Sequence, residues 1–298
     1  MIPRPEPSRA PSRWASGYLF WHQFRNELIK LFGKRRTYIG FGAFLLAQNA
    51  VILMFRFGHA TRGLKRQLES GGYPVEQYLT SLTIATQVVL PIAFLLLPLY
   101  AALVGGDLVA KEAEEGTLRM VLARPISRVR LLGVKWLAGA FFSVCLSLSL
   151  GVFGLALALP WFPFGGLFAL RLESGGGFSV FSTGDGLWRF AFAHLLLATK
   201  TVTVMGLGFV FSCFNMKPAA ATILALTVLF ANAVLMNIPW FSEYQGWFLT
   251  HHLDTWKLIL EQQVPWSEMG ESLSLLVGYN LTFFVIGATM FQLRDIKS

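Results

Sequence analysis

Charge is what this sequence most lacks. Of 298 residues only 14% are Asp, Glu, Lys or Arg, against 54% that are hydrophobic. A soluble domain carries about 25% charged residues, so the shortfall excludes an ordinary water-soluble globule and points to a membrane protein. Cysteine is nearly absent. Cys145 and Cys213 lie in or beside apolar stretches at no recognisable spacing, which excludes a disulfide framework and a thiolate metal site. No G-x-x-x-x-G-K-[ST] run occurs, so the chain lacks a phosphate cradle of the P-loop kind. Catalytic His, Asp or Glu residues do not gather at one membrane depth, which speaks against a membrane-embedded enzyme. His251, His252 and Asp254 form an isolated H-H-x-D without the further ligands and supporting shell that a metal site needs. Acids are outnumbered by bases, 16 against 25, for a net charge of +9. The bases cluster beside apolar segments rather than in an aromatic-interleaved patch, so nucleic acid is not the implied partner. The N-terminal MIPRPEPSRAPSRWASGYLF has no continuous apolar core and is not a secretory signal; residues 1–16 read as a disordered cytoplasmic tail.

Long apolar runs are what is present. A bilayer core about 30 Å thick needs roughly 20 apolar residues in a helix, and lipid offers the backbone no hydrogen-bond partners outside one. Six segments qualify, at about 37–55, 84–104, 134–160, 188–212, 219–238 and 273–292. An even number places both termini on one side. That side carries seventeen Lys and Arg residues, counting Lys135 at its border, and the other carries seven, with Lys200 left inside the fourth span. By the positive-inside rule the termini, the 105–133 loop and the 213–218 turn are cytoplasmic. Residues 17–36 precede the first span. Phe20, Phe24, Leu28 and Leu31 recur at helical spacing, with Arg25, Lys30, Lys34, Arg35 and Arg36 around them. This pattern predicts an amphipathic helix in the headgroup layer, its apolar face in the acyl boundary and its bases near anionic lipid.

The 105–133 loop is the exception to the scarcity of charge. Asp107, Glu112, Glu114 and Glu115 crowd together with Lys111, Arg119, Arg124 and Arg128. Gly116 interrupts a helix-forming DLVAKEAEE run. Thr117 can cap a short second helix, which Pro125 stops, and Ser127 can cap a third that rises into the next span. Leu118, Val121 and Leu122 give the middle helix an apolar edge, while Arg119 and Arg124 keep it partly wet. A short amphipathic helix at a membrane surface suits docking of a soluble partner; the plain alternative is a solvated connector.

The ordered run Gly106, Asp107, Glu112, Glu115, Gly116, Thr117, Leu118, Leu122, Pro125, Ser127, Arg128 and Lys135 resembles the signature loop of type-2 ABC transporter permeases. The ending Phe291, Leu293, Arg294, Asp295 and Ile296 resembles that family's C-terminus, and the helix holding Glu27, Leu28 and Lys30 looks like its connecting helix. Among its members the chain is most similar to the stand-alone bacterial permeases, including the one that serves nitrous-oxide reductase maturation. The resemblance implies an all-α membrane protein of the type-2 ABC exporter fold. It would have six transmembrane helices in a permease domain over 37–298, an amphipathic connecting helix at 17–36, a cytoplasmic coupling helix at 117–124 and short extracytoplasmic helices. Leu253, Trp256 and Leu260 in the 252–266 stretch fit one of these as an interfacial helix. The resemblance further implies a bacterial cytoplasmic-membrane location and a homodimer, or a pair with a close paralogue. Two copies of a separate cytoplasmic ABC ATPase would bind ATP and Mg, with no cofactor in this chain. Glu112, Glu114 and Glu115 would then offer acceptors to the ATPase, and Arg119 and Arg124 would pair with its acids. The expected activity is ATP-driven transport, most simply export. The alternative is a mechanotransmission subunit that acts on an extracytoplasmic partner without passing solute.

Lys200 is the oddest residue. A lysine near mid-span costs roughly 2.5–3.5 kcal/mol. It reads either as a pathway or dimer-interface residue, or as a lysine whose stem snorkels to the interface. His194, on the same span, reads as a satisfied interfacial histidine. Asn232, Asn237 and Asn280 can hydrogen-bond across helices. Asn232 is placed with Lys200 as a pathway or dimer-interface candidate, although structural glue is the simpler role.

Overall fold

The computed structural model describes residues 13–123, 126–170 and 177–294; of residues 13–16, 119, 121, 122 and 242 it describes the backbone alone. Residues 1–12 of the expected 1–16 tail, with Arg124, Pro125, Asp295 and Ile296, therefore lie outside the described residues, whereas residues 13–16 begin the first helix instead of extending the tail. Six helical segments are long and apolar enough to cross a membrane: Arg35–Phe57, Ser81–Glu114, Arg128–Ala158, Thr183–Cys213, Pro218–Met236 and Trp266–Leu293. All six match the expected spans, and several run further. In element order they are α2 (Arg35–Phe57), α5 and α6 (Ser81–Pro91 and Leu97–Glu114), α8 (Arg128–Ala158), α9 (Thr183–Cys213), α10 (Pro218–Met236) and α12 (Trp266–Leu293). The join between α5 and α6 is a π-helical turn, Ile92–Leu96. It follows Pro91, whose missing N–H breaks the regular ladder.

The central post is α9. The apolar window of α9 is 78% buried, against 22% for α2 and α10 and 11% for α12, so the others surround it and face lipid. Missing side chains let α9 and α6 touch backbone to backbone. A Cβ on Gly105 would lie 2.0 Å from the Met205 carbonyl oxygen, and one on Gly208 would lie 2.6 Å from that of Ala102. Gly105 and Gly208 are thus a helix-packing device of the small-residue kind.

One face of the bundle, here called the basic face, carries α1 (Arg13–Gly33), α7 (Thr117–Leu122), the 214–217 turn and the end of α12. The apolar side of α1 differs from the expectation of an acyl-facing helix. Phe24 packs against Phe141 and Phe32 against Phe142 of α8, at ring separations of 6.2 and 5.0 Å, and Leu31 is buried. Tyr18, Leu19, Trp21 and Ile29 form the exposed side instead.

The far face is capped by α3 (Ala60–Ser70), α4 (Val75–Tyr78) and a two-stranded antiparallel hairpin, β1 (Leu167–Leu170) with β2 (Phe178–Phe181). The hairpin was not foreseen in an all-helical reading. Its strands carry buried Phe168 and Phe181, and Phe168 N–H donates to the Thr83 hydroxyl at 2.9 Å, stitching the hairpin onto α5. Residues 252–266 also depart from a single interfacial helix. They form part of a re-entrant run: a 3-10 segment Pro239–Trp247, then α11 (Leu249–Leu253), then a second 3-10 segment Thr255–Leu260. Leu253, Trp256 and Leu260 are buried in the bundle, not spread on lipid. Trp240 and Trp247 are 82% and 83% exposed, which marks the far interface with an aromatic belt.

Candidate functional site

The charged segment between the second and third spans is mostly helix, not loop. The second span continues as α6 to Glu114, and α8 begins at Arg128, so the true connector is short. Gly116 adopts φ +73°, a conformation that side-chain-bearing residues rarely take, and this turns the chain out of α6. The Thr117 hydroxyl donates to the Glu112 carbonyl at 3.3 Å, closing the last turn of α6, and the helix Thr117–Leu122 follows. Leu118 is 3% exposed and roots that helix in the core beside Leu31 and Val109. The Ser127 hydroxyl accepts from Arg130 N–H and caps α8 as foreseen. Glu114, Glu115 and Gly116 stand exposed at the surface. For Arg119 and Leu122 only the backbone, within α7, is described.

Glu112 is engaged within the chain, by bases of α1 and α8. Its Oε1 lies 2.7 Å from Lys135 Nζ and 3.2 Å from Lys30 Nζ. Glu27 completes the ring, 3.1 Å from Lys135 and 2.9 Å from Lys30. Two acids and two bases from α1, α6 and α8 thereby neutralise one another around Lys135, which is 1% exposed. Burial pushes the Glu27 carboxyl up, but Lys135 and Lys30 outweigh it and hold the group below its ordinary range. Burial pushes Lys30 down, and Glu27 and Glu112 more than reverse that. A second pair, Arg36 with Asp107, ties α2 to α6.

Arg128 is likewise structural here. Its guanidinium donates to the carbonyls of Phe291, Gln292 and Arg294, the exposed acceptors at the C-terminus of α12. Arg294 in turn donates to the Phe214 carbonyl and, at 2.7 Å, to Asn215 Oδ1, pinning the turn between α9 and α10. Arg128 of the signature run and Arg294 of the C-terminal ending thus lock the helix ends of the basic face together.

Lys200 has a partner. Its Nζ lies 2.9 Å from Asp254 Oδ1, and Lys257 holds the other carboxylate oxygen at 2.5 Å. The re-entrant run brings Asp254 down. Arg189, eleven residues and about 16 Å up α9, donates to the carbonyls of Ile259 and Glu261 at 2.6 and 2.7 Å. Irregular backbone is tolerated at such depth because protein surrounds it. Asn232 serves this same run: its Oδ1 accepts from Thr250 N–H at 2.9 Å and from the Thr250 hydroxyl at 2.8 Å, steadying the start of α11. His252 places its ring nitrogens 3.0 Å from Ser272 Oγ and 2.9 Å from the Gly246 carbonyl. Asn280 donates to Thr203 at 2.8 Å, joining α12 to α9. An apolar cavity of about 760 Å³ opens between α8, α9 and α12, with Trp136, Leu196, Val202 and Asn280 in its wall.

Sequence reasoning missed Glu27 as a charge partner, the burial of Lys135 and the pairing of Asp254. Lys135 sits where any span-flanking lysine would, and Asp254 sits among the acids of an outer loop, so neither carried a local signal.

The geometry is that of a membrane bundle with a short helix presented at one surface. Comparison with known families agrees with it. The model of the family described as ABC-2 family transporter protein matches residues 26–245, which take in the C-terminal part of α1, the first five spans and the whole charged connector. No curated protein matches the chain. The chain belongs to the ABC-2 transporter family and is a multi-pass membrane permease subunit of an ABC transporter, a family whose permeases pair with an ABC ATPase.

Proposed function

We propose that this permease moves its substrate outward and is driven by a separate ATPase that seats on α7 from the cytoplasm. Two permease chains, identical or closely paralogous, would pair with two ATPase copies, which alone bind ATP and Mg. The basic face is then cytoplasmic and the hairpin face extracytoplasmic, in a bacterial inner membrane, as the seventeen-to-seven bias in Lys and Arg argues. One observation carries the reading: α7 hangs from the end of α6, and α6 is in backbone contact with the central helix α9. A push on α7 therefore reaches α9 through α6, and reaches α1 and α8 through the Glu27–Lys30–Glu112–Lys135 ring. The free energy comes from the ATPase, whose nucleotide binds its closed dimer better than its open one. Exposed Glu114 and Glu115 present acceptors to the partner, with Arg119 and Arg124 beside them in sequence. Transport is favoured over pure mechanotransmission because the far-face elements are short and pack onto the bundle as a cap. The test is co-purification: Glu115→Lys releases the ATPase from membranes while the permease still inserts. Recovery of the ATPase at the wild-type ratio would overturn the docking assignment.

A further inference from the structure

The chain is most basic where α1 gives way to α2, at Gly33-Lys34-Arg35-Arg36. The three cations there have different fates. Arg36 is paired with Asp107, and Arg35 is exposed. Lys34, in extended conformation between the helices, lines a cleft of about 450 Å³ with Lys30 on one side and Lys111, Glu112, Glu115 and Thr117 on the other. The acids of this cleft are already engaged. Glu112 holds Lys135 and Lys30, and Glu115 lies 3.9 Å from Lys111. Among the described residues Lys34 has no ion pair.

The electrostatics agree. Burial lowers the pKa of Lys34, and the nearby charges of Arg36, Lys111 and Lys135 lower it further, against a smaller opposing pull from Glu112. A positive cleft with an uncompensated cation is short of one anion. Its position says which anion. Arg35 is the first residue of the first span, so Lys34 lies where apolar helix meets water, the level of lipid phosphates. Directly beyond it, Tyr38 and Ile39 of α2 are 68% and 71% exposed and offer apolar surface along which acyl chains can run. A free phosphate could not use that surface.

We propose that the cleft between α1, α6 and α7 holds the headgroup phosphate of an anionic phospholipid from the leaflet beside the basic face, with Lys34 as its principal cation. The headgroup would then touch Glu115 and Thr117 at the root of α7, so lipid composition would bear on how that helix is held. The inference shares Glu115 with the ATPase-docking reading, but it is tested on the permease alone.

The experiment uses the purified chain in neutral detergent, titrated with phosphatidylglycerol, phosphatidylcholine or inorganic phosphate, with retained lipid counted by native mass spectrometry and thermal stability followed in parallel. Phosphatidylglycerol is expected to be retained and to stabilise, and the other two are not. A cation near the membrane surface is worth enough that Lys34→Gln weakens phosphatidylglycerol binding about fivefold. Arg35→Gln, at an exposed position outside the cleft, changes it less than about twofold. Lys34→Arg preserves binding and keeps the test valid if the glutamine variant does not fold. Equal effects of Lys34→Gln and Arg35→Gln, equal retention of phosphatidylcholine, or equal stabilisation by inorganic phosphate would each overturn the proposal. So would unchanged phosphatidylglycerol binding in Lys34→Gln.

Discussion

Replacing Lys135 with methionine tests the central claim about the basic face, that three helices are joined there by a closed ring of charge. Lys135 is 1% exposed and lies 2.7 Å from Glu112 and 3.1 Å from Glu27, which are themselves 16% and 13% exposed. The ring holds two acids and two bases; Lys135→Met leaves it with a net charge of −1 and two partly buried carboxylates sharing Lys30. Removing one partner of a buried pair costs about 3–5 kcal/mol. Lys30 is half-exposed and still available, so the lower end applies, about 3 kcal/mol. For a chain of this size that corresponds to a fall in Tm of about 5 °C, read as loss of monodisperse protein after heating in detergent. The double variant Glu112→Gln/Lys135→Met restores neutrality and keeps the Glu27–Lys30 contact of 2.9 Å. It should be more stable than the sum of its single changes by about 1 kcal/mol or more. A Lys135→Met variant within about 2 °C of the parent, or strictly additive single changes, would show that the ring carries no energy.

Acid gives a second view of the ring. Glu27 is held below its ordinary value of 4.5, so its contribution is complete above that value and disappears only as pH falls through the depressed one. α1 should therefore stay docked through the ordinary carboxylate range and release only as pH falls below it, followed by the fluorescence of Trp21. At the far end, Asp254→Asn strips Lys200 and Lys257 of their shared carboxylate and should speed proteolysis within 237–265. Lys200→Met/Asp254→Asn should be protected better than Asp254→Asn alone, and equal cleavage would argue against the pairing. Gly208→Val drives a side chain into the Ala102 carbonyl and should abolish recovery of folded protein, whereas Gly42→Ala, with nothing within 4 Å of its Cβ, should be silent.

Much of the architecture was legible one residue at a time. Hydropathy sums along the chain, and lipid leaves an apolar stretch no option but helix; hence the six spans stand where counting put them. The break at Gly116, the cap at Ser127 and the short helix between them follow from local backbone chemistry, which neighbours in sequence decide. The far-face hairpin escaped because four-residue strands carry too little pattern to read, and water on that face permits structure other than helix. What only the tertiary structure decided is which charges meet. Lys200 finds Asp254 across 54 residues, Lys30 finds Glu112 across 82 and Lys135 finds Glu27 across 108. An ion pair depends on the distance between two side chains in space, and helix packing sets that distance. The sequence alone therefore showed a lone intramembrane lysine and an outward-reaching glutamate, where the folded chain has a carboxylate shared by two lysines and an internal ring.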